Sequence, residues 1–256
     1  MKILVIGETC IDTFIYGSVN RIYPEGPVPI LEESYSNTTK GMATNVYNNL
    51  NNIINHLGLK FETSLITNTE YSQKTRYVDS DSNQLILRVD TDSKEHIKMR
   101  DLLNINFSQF DAVIVSDYNK GFLSDDDLKY IALKSKLSFL DTKKKCCLSW
   151  AEKFDFIKIN DKEYRENGFI KDSNYLKKKL IVTQGARGCS FNGEKFPLEK
   201  QVEVRDVSGA GDTFLAAIVL NYLYSHSMYR AIRTANDYCG IVVSKKGVSL
   251  PFPDEA

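Results

Sequence analysis

The chain has 256 residues, of which 42% are hydrophobic and 26% are charged, with only six prolines. This composition predicts a folded α/β unit with a substantial core and excludes a mainly disordered chain. Lysine plus arginine and aspartate plus glutamate both number 33. This balance argues against a nucleic acid or an anionic membrane as partner.

The predicted main sheet is built from five short apolar runs that are separated by helical patterns. These runs are residues 3–6, 112–115, 139–140, 156–159 and 180–182. Strands that alternate with helices favour a mostly parallel sheet with helices on both faces. Between Ala43 and Leu57, apolar residues recur on one helical face. We expect this helix to pack on the sheet by one stripe.

Segments 11–36 and 61–92 show a different pattern, in which apolar and polar residues alternate. We expect antiparallel strands outside the main sheet here, forming a small lid within a single domain that spans residues 1–256. Residues 213–224, in contrast, read TFLAAIVLNYLY. A run that is apolar nearly all round is typical of a central, buried helix.

The cysteines and the N-terminal segment indicate the compartment. None of the five cysteines, Cys10, Cys146, Cys147, Cys189 and Cys239, has zinc-ligand spacing, which indicates reduced thiols. The chain begins with a strand pattern, MKILVIGE, and no apolar run approaches membrane-spanning length. We therefore expect a soluble, cytoplasmic protein.

The most informative motif is RDVSGAGDTFLAA, residues 205–217, where a loop of small residues leads into the predicted buried helix. Gly209 and Gly211 would let a ligand approach the backbone, and exposed amides at a helix start can hold the negative charge of a phosphoryl group. Asp212, in the first turn, is then placed to take a proton from an acceptor hydroxyl. Taken alone, the motif is also compatible with a glycine-rich turn whose Asp caps the helix.

This motif resembles D-x-[ST]-G-A-G-D-x-F, the C-terminal signature of the ribokinase-like (PfkB) sugar kinases. The resemblance implies a three-layer α/β fold with a small β lid, ATP and Mg²⁺ as cofactors, and Asp212 as the catalytic base. Gly209, Ala210 and Gly211 would complete the catalytic loop, with the amides of residues 210–212 stabilising the γ-phosphoryl group. No Walker A motif occurs in the chain, so the phosphates would be bound without a P-loop.

Two weaker motifs resemble the sugar-binding elements of that family, GETCID at residues 7–12 and GMATN at residues 41–45. The sugar-binding residues that this implies are Asp12, Gly41 and Asn45. GMATN is by itself also an ordinary helix start. Its second residue, Met42, replaces a glycine of the family's GGAAN, so we expect a reshaped sugar pocket.

Motifs in the second half of the chain resemble nucleotide-binding elements. INDKE at residues 159–163 matches an N-x-x-E element, VTQGARG at 182–188 a strand and glycine turn, and RTANDYCGIVVSKKG at 233–247 a helix near the adenine. The residues that this implies are Asn160, Asp161, Lys162, Glu163, Thr183, Gly185 and Asn236. A carboxylate set back from the phosphates suits a magnesium ion held through water, so Glu163 is the expected metal residue. Alone, NDKE is also a solvated turn.

Two lid segments resemble one branch of the family more closely, the heptose 7-phosphate kinases of ADP-heptose synthesis. They are YGSVNRIYPEGPVPI at residues 16–30 and KTRYV with NQLILRVD within 74–90. This resemblance implies transfer to the anomeric hydroxyl of a sugar phosphate and a homodimer formed through the lid.

The phosphate of such a sugar needs cations nearby, because leaving it unpaired in a closed site is costly. The candidates are Arg21, Lys74, Arg76, Arg88 and Lys120, the last of which lies in SDYNKG at 116–121. Arg88 and Lys120 are preferred, although each of the five is equally typical of a solvated strand or loop.

The motifs leave other functions open. The acceptor is open among a nucleoside, an unphosphorylated sugar and a different sugar phosphate, and the anomer, the nucleotide preference and any monovalent cation are not fixed. A catalytically silent relative that binds nucleotide or sugar is a further alternative, against which the intact Asp212, Asn160 and Glu163 argue. A dinucleotide-dependent oxidoreductase is disfavoured, because GETCID contains no G-x-G-x-x-G.

Overall fold

The structure is a computed structural model that describes residues 1–168, 170, 173–200 and 202–253. Its strands are β1 (Lys2–Gly7), β2 (Thr9–Ile22), β3 (Pro29–Met42), β4 (Glu62–Ile66), β5 (Ser72–Asp79), β6 (Leu85–Thr91), β7 (Ala112–Asp117), β8 (Ser138–Thr142), β9 (Phe156–Asn160), β10 (Leu180–Thr183), β11 (Cys189–Phe191) and β12 (Glu194–Phe196). Its helices are α1 (Ala43–His56), α2 (Met99–Leu103), α3 (Asp125–Lys134), α4 (Leu148–Ala151), α5 (Asp161–Glu166), α6 (Asn174–Lys177), α7 (Ala210–Ser225) and α8 (Met228–Val243).

The larger sheet, called the main sheet, has the strand order β12-β11-β10-β9-β8-β7-β1-β4. The strands from β10 to β4 in this order are parallel, and the β11–β12 hairpin is antiparallel. The five strands predicted from apolar runs are confirmed as β1, β7, β8, β9 and β10. The hairpin is absent from the predicted elements, although Asn192 and Gly193, both with positive φ, form a typical two-residue hairpin turn.

Each face of the main sheet carries its own apolar layer, because successive strand residues point to opposite faces. Ile3 and Val5 pack with α1, α7 and α8, whereas Leu4 and Ile6 pack with α3 and α4 on the other face. Helix α7 is confirmed as central, since all of residues 212–220 are buried.

Helix α1 buries the predicted apolar face, except at the carboxyl end of the predicted segment. The helix ends at His56, and Leu57 lies past it with 46% of its surface exposed. All five cysteines are free thiols. Among the described residues, no helix combines the length and the apolar character needed to cross a bilayer.

The second sheet, which corresponds to the predicted lid and is given that name below, has the strand order β3-β2-β5-β6. Two expectations about it are wrong. First, β4 lies beside β1 in the main sheet, because α1 provides the crossover that parallel pairing needs. Second, β2 and β5 pair in parallel, since the long α1–β4 connection separates them, while the other lid pairs are antiparallel. Strand β3 also runs beyond residue 36 to Met42 and leads directly into α1.

Candidate active site

The candidate site lies at the carboxyl ends of the parallel strands, where α1 and α7 begin and the lid leaves the main sheet. Parallel α/β folds bind ligands at this edge. Asn45, in the first turn of α1, donates a hydrogen bond from Nδ2 to Oδ2 of Asp212 at 2.8 Å. The fold therefore joins two predicted site residues that are 167 positions apart in the chain.

Asp212 has the surroundings of a proton acceptor. It is only 4% exposed, and its Oδ1 accepts a hydrogen bond from the hydroxyl of Tyr118 at 2.9 Å. Burial raises the pKa of Asp212 to about 6, although the hydrogen bond from Asn45 acts in the opposite direction. A carboxyl group with this pKa can take and release a proton near neutral pH.

The alternative role of Asp212 as a helix cap is excluded by the start of α7. The N-cap residue is Gly209, and no side chain caps the helix. Gly209 has φ +80°, and an added Cβ would lie 2.8 Å from Nδ2 of Asn45. Glycine is therefore needed at this position for both the left-handed turn and the Asn45–Asp212 contact.

The loop amides are less available than the motif predicts. The N–H of Ala210 donates to the carbonyl of Val207 at 3.3 Å, and the N–H of Asp212 donates to the carbonyl of Gly209 at 3.0 Å. Of the three amides, that of Gly211 alone has no acceptor in the part of the chain that the structure describes. Residues 208–211 are partly exposed, so a ligand can reach this amide.

The predicted sugar-binding residues Asp12 and Gly41 lie together on the lid. Oδ1 of Asp12 accepts a hydrogen bond from Nη1 of Arg76 at 2.7 Å, and the two side chains are only 9% and 17% exposed. A Cβ at Gly41 would lie 2.4 Å from Oδ2 of Asp12. The glycine therefore leaves the space that the carboxylate occupies.

Replacing Gly41 by Ala should push Asp12 out of position. We expect kcat/KM for the acceptor to fall on the order of 10²-fold, since a misplacement of about 1 Å in a substrate-positioning group has this effect. The dissociation constant of the nucleotide should be unchanged. Gly26→Ala is the matched control, because nothing lies within 4 Å of its added Cβ. Unaltered acceptor kinetics in the folded G41A protein would refute this role of Gly41.

Two residues outside the predicted set complete the surroundings of Asp212. Glu8 is buried, and its carboxylate accepts hydrogen bonds from the backbone N–H groups of Tyr118 at 2.6 Å and Lys120 at 2.8 Å. These bonds fix the loop that presents the hydroxyl of Tyr118 to Asp212. Both residues lie in the quoted motifs GETCID and SDYNKG, but the sequence does not indicate which side chain faces the base.

Replacing Tyr118 by Phe should shift the pH dependence of turnover. The hydroxyl of Tyr118 lowers the pKa of Asp212, so its removal raises that pKa further above its ordinary value. The base is then protonated at higher pH, and the acidic limb of kcat moves upward. We expect the limb to move upward by about one pH unit, the usual size of one hydrogen bond to a charged group, so that turnover falls about tenfold below about pH 6 and about twofold near pH 7. The measurement is the pH profile of kcat for this variant, with Tyr130→Phe on α3 as the control. An acidic limb that does not shift in the Tyr118 variant would contradict the assigned role.

A row of polar residues lies beneath the start of α7, where the apolar rows of the sheet end. Ser116, Asp141 and Lys158 are register partners on β7, β8 and β9. Nζ of Lys158 donates to Oδ2 of Asp141 at 2.7 Å, and both side chains are 6% exposed. Burial lowers the pKa of Lys158, but the nearby carboxylates, Asp141 first among them, together outweigh this effect, and the net shift is upward. A lysine between the apolar residues Ile157 and Ile159 of a strand is the signal that could have indicated this site.

The nucleotide motif INDKE forms a capping box at the start of α5. Oδ1 of Asn160 accepts from the N–H of Glu163 at 2.9 Å, and Oε2 of Glu163 accepts from the N–H of Asn160 at 2.7 Å. Glu163 also pairs with Lys143, whose Nζ lies 5.6 Å from the ring centre of Tyr118. The motif is therefore an ordered helix start that Lys143 connects to the surroundings of Asp212.

The other predicted nucleotide residues are not in direct contact with Asp212. Lys162 is 78% exposed and pairs with Glu166 on its own helix, while Asp161 binds Arg187 at 2.8 Å. This second pair links α5 to the turn at 185–187.

The remaining predicted nucleotide residues lie on three elements around this turn. Thr183 ends β10, Gly185 begins the turn, and Asn236 lies on α8. Oγ1 of Thr183 donates to the carbonyl of Ile159 at 3.4 Å, and Gly185 has φ +59°. Asn236 is buried on α8, and its Nδ2 donates to the carbonyl of Phe196 at 3.2 Å.

The two preferred phosphate-binding cations are already paired with carboxylates. Arg88 binds Asp90 with two hydrogen bonds of 2.6 Å, and Lys120 binds Asp92 at 2.8 Å. Arg21 likewise pairs with Glu32 in an exposed position. Lys74, in contrast, makes no ion pair within the described ranges.

Comparison with known proteins establishes the family. Residues 50–255 match the pfkB family of carbohydrate kinases. The chain belongs to this family. A bifunctional protein HldE of Aliarcobacter butzleri is 31% identical, with 99% of this chain and 63% of the relative covered. A bifunctional protein HldE of Helicobacter pylori (strain Shi470) is 32% identical, with 99% and 65% covered. The chain thus spans less than two thirds of the length of these relatives.

Solved structures show that the chain has the ribokinase-like fold. A ribokinase from Thermotoga maritima superposes with a TM-score of 0.70 at 16% identity, covering 98% of this chain and 95% of that one. Phosphofructokinase-2 from Escherichia coli, in complex with potassium, gives 0.70 at 13% identity, covering 97% and 94%. The predicted fold class is confirmed.

Met42 departs from the glycine that the family motif has at its position. Its backbone adopts φ 59° and ψ −128°, and the residue is buried at the start of α1. This region of backbone space favours glycine, so a methionine here costs about 1–3 kcal/mol of strain. Met42 therefore occupies a backbone conformation that glycine, the residue of the resembled motif, adopts more readily.

Proposed function

We propose that the chain is an ATP-dependent sugar kinase that transfers the γ-phosphoryl group to a hydroxyl of a phosphorylated sugar. The observation that supports this most is the buried carboxylate of Asp212, at the partly exposed glycine loop of α7, held by Asn45 and Tyr118. Membership of the pfkB family of carbohydrate kinases is the second support.

In the proposed reaction, Asp212 takes the proton of the acceptor hydroxyl as its oxygen attacks the γ-phosphorus. The bond from the γ-phosphorus to the bridging oxygen breaks, and ADP leaves. Asp12 and Asn45 orient the sugar, and the amide of Gly211 donates to the transferred group. Closure of the lid excludes water, which would compete as acceptor.

Magnesium fits the oxygen ligands of the INDKE motif. Among the described residues, no three or more His, Cys, Asp or Glu side chains converge on one metal position. Magnesium does not require such a cage, because it commonly keeps several waters and binds one or two carboxylates together with substrate phosphates. Glu163 would hold the ion through water, beside Asn160. The ion would neutralise charge on the phosphates.

The proposed acceptor is a heptose 7-phosphate, phosphorylated at its anomeric hydroxyl. The lid segments that resemble heptose 7-phosphate kinases support this choice. The register of the lid places Lys74, Arg76 and Arg88 on the same face as Asp12, so an anionic acceptor would meet several cations there. Arg76 and Arg88 are paired with Asp12 and Asp90, whereas Lys74 makes no ion pair within the described residues.

We also propose that the chain forms one kinase domain that dimerises through the outer face of the lid. Ile15, Tyr77 and Leu87 are register partners on that face, and Leu87 and Val89 are 54% and 46% exposed. An apolar face of this kind is suited to cover by a second copy. Because the reaction consumes ATP, the cytoplasm is the proposed location.

An acceptor panel tests this function. Purified protein is supplied with ATP and Mg²⁺, and ADP release is measured with sugar 7-phosphates, sugar 6-phosphates, free sugars and nucleosides. We expect the highest kcat/KM with heptose 7-phosphate and an anomeric phosphate in the product. A better nucleoside or free sugar would refute the proposed acceptor. Nucleotide binding without transfer to any acceptor would favour the silent relative.

A further inference from the structure

A buried ion pair, Lys158 with Asp141, lies beneath the start of α7. The ammonium group of Lys158 lies next to the start of the helix, since a Cβ at Gly211 would be 2.9 Å from its Nζ. The amino end of a helix carries a partial positive charge, so a cation is unfavourable there. A buried ion pair is by itself weak evidence for stability, because desolvation offsets the attraction. A bound anion at this position would be attracted by both the ammonium group and the amino end of the helix.

Several polar groups of this row are incompletely bonded. Within the described residues, Nζ of Lys158 has one hydrogen bond, to Asp141, although an ammonium group has three donors. Oδ1 of Asp141 and Oγ of Ser116 are buried and have no partner among the same residues. Buried polar groups are normally satisfied, so this row has unused capacity to bind a polar ligand.

The helix start also lacks donors for a phosphoryl group. Within the described part of the chain, the amide of Gly211 alone among the three predicted amides has no acceptor. One amide and a helix dipole are a small positive contribution against a phosphoryl group that carries charge on three oxygens. Lys158 is a buried cation beside this helix start.

We propose that Lys158 is a catalytic residue that donates hydrogen bonds to the transferring γ-phosphoryl group, and that Asp141 positions its ammonium group. This inference deepens the proposed kinase function and rests on it. Lys158 stays protonated throughout, and Asp212 alone takes the proton of the acceptor. The alternative is a purely structural Lys158 that only neutralises Asp141.

Nucleotide binding and turnover of charge-matched variants separate these two roles. Lys158→Met leaves the carboxylate of Asp141 unpaired and buried, which is strongly destabilising. The double variant Lys158→Met with Asp141→Asn removes both charges and keeps the fold testable. Dissociation constants for ADP and for AMP-PNP, which retains a γ-phosphoryl group, are measured with Mg²⁺ by calorimetry for the wild type and the double variant.

We expect the wild type to prefer AMP-PNP over ADP by about tenfold, the size of one charge-assisted hydrogen bond. The double variant should lose this preference, bind ADP as the wild type does, and turn over on the order of 10²-fold more slowly. Lys179→Met is the control, because its Nζ binds the carbonyls of Glu152 and Phe154 near the amino ends of the strands. This control should change neither the preference for AMP-PNP over ADP nor the turnover.

A double variant that keeps the preference, or that turns over within about threefold of the wild type, overturns the proposal. A wild type that binds both nucleotides equally, or neither, also overturns it. A third outcome would count against the proposed function alone. In that outcome the wild type prefers AMP-PNP and the double variant loses this preference, but the wild type phosphorylates no acceptor.

Discussion

Replacing Asp212 by Asn is expected to lower turnover on the order of 10²-fold or more, the usual contribution of a general base. The amide has nearly the same shape as the carboxylate but cannot take the proton of the acceptor. Nucleotide binding should persist, because the free amide of Gly211 and the INDKE motif are unchanged. The rate is measured in a single turnover with ATP, Mg²⁺ and the best acceptor, and nucleotide affinity by calorimetry.

Asp237→Asn is the matched control for this change, since residue 237 is an exposed aspartate on α8. It should leave both quantities at the wild-type level. Near wild-type turnover of the folded D212N protein would remove Asp212 from the role of base.

Replacing Arg76 by Met is expected to lower kcat/KM for the acceptor on the order of 10²-fold, because removal of one partner of a buried ion pair leaves the other charge uncompensated. Among the described residues, Asp12 would keep only the weak donor Cys10, whose Sγ lies 3.5 Å from its Oδ2. Its carboxylate could then no longer be held in one orientation for the sugar hydroxyls. The acceptor KM is measured at saturating ATP, with thermal unfolding to confirm the fold.

The control for this variant is Arg100→Met, on α2, where the arginine side chain is 81% exposed. Its acceptor kinetics should equal those of the wild type. An unchanged acceptor KM in folded R76M, with an unchanged kcat, would show that Asp12 binds the sugar without help from Arg76, or does not bind it at all.

The parts of the fold that follow local rules could be predicted from the sequence. Apolar runs gave the central strands, and the wholly apolar run 213–224 gave the buried helix α7. The position of β4 could not be predicted in this way, because alternation marks a half-exposed strand but does not say which sheet it borders. The parallel β2–β5 pairing likewise depends on a connection through α1 and β4.

The motifs indicated which residues form the candidate site, but they did not indicate which of these residues contact one another. The loop with Asp212 and the helix start with Asn45 are each local patterns, but their hydrogen bond exists only in the fold. Tyr118 and Lys158 were missed because their roles depend on neighbours in other elements, Glu8 for one and Asp141 for the other. No periodicity within a single segment carries that information.

The two preferred phosphate cations illustrate the same limit. Arg88 has Asp90 two residues away on its own strand, so the sequence could have warned that this guanidinium is already paired. The partner of Lys120 is Asp92, 28 residues away, which no local pattern indicates. Lys74 has a similar sequence context but no ion pair in the described part of the chain.

The most direct test of the central claim is the pH dependence of the single-turnover rate of the wild-type protein. Because burial raises the pKa of Asp212 to about 6, its carboxyl group is protonated below that pH and cannot take a proton. The rate should therefore be constant above about pH 7 and fall about tenfold per unit below about pH 6, the behaviour of a single essential base. A rate that stays level from about pH 5 to 8, or an acidic limb that persists unchanged in D212N, would contradict the account.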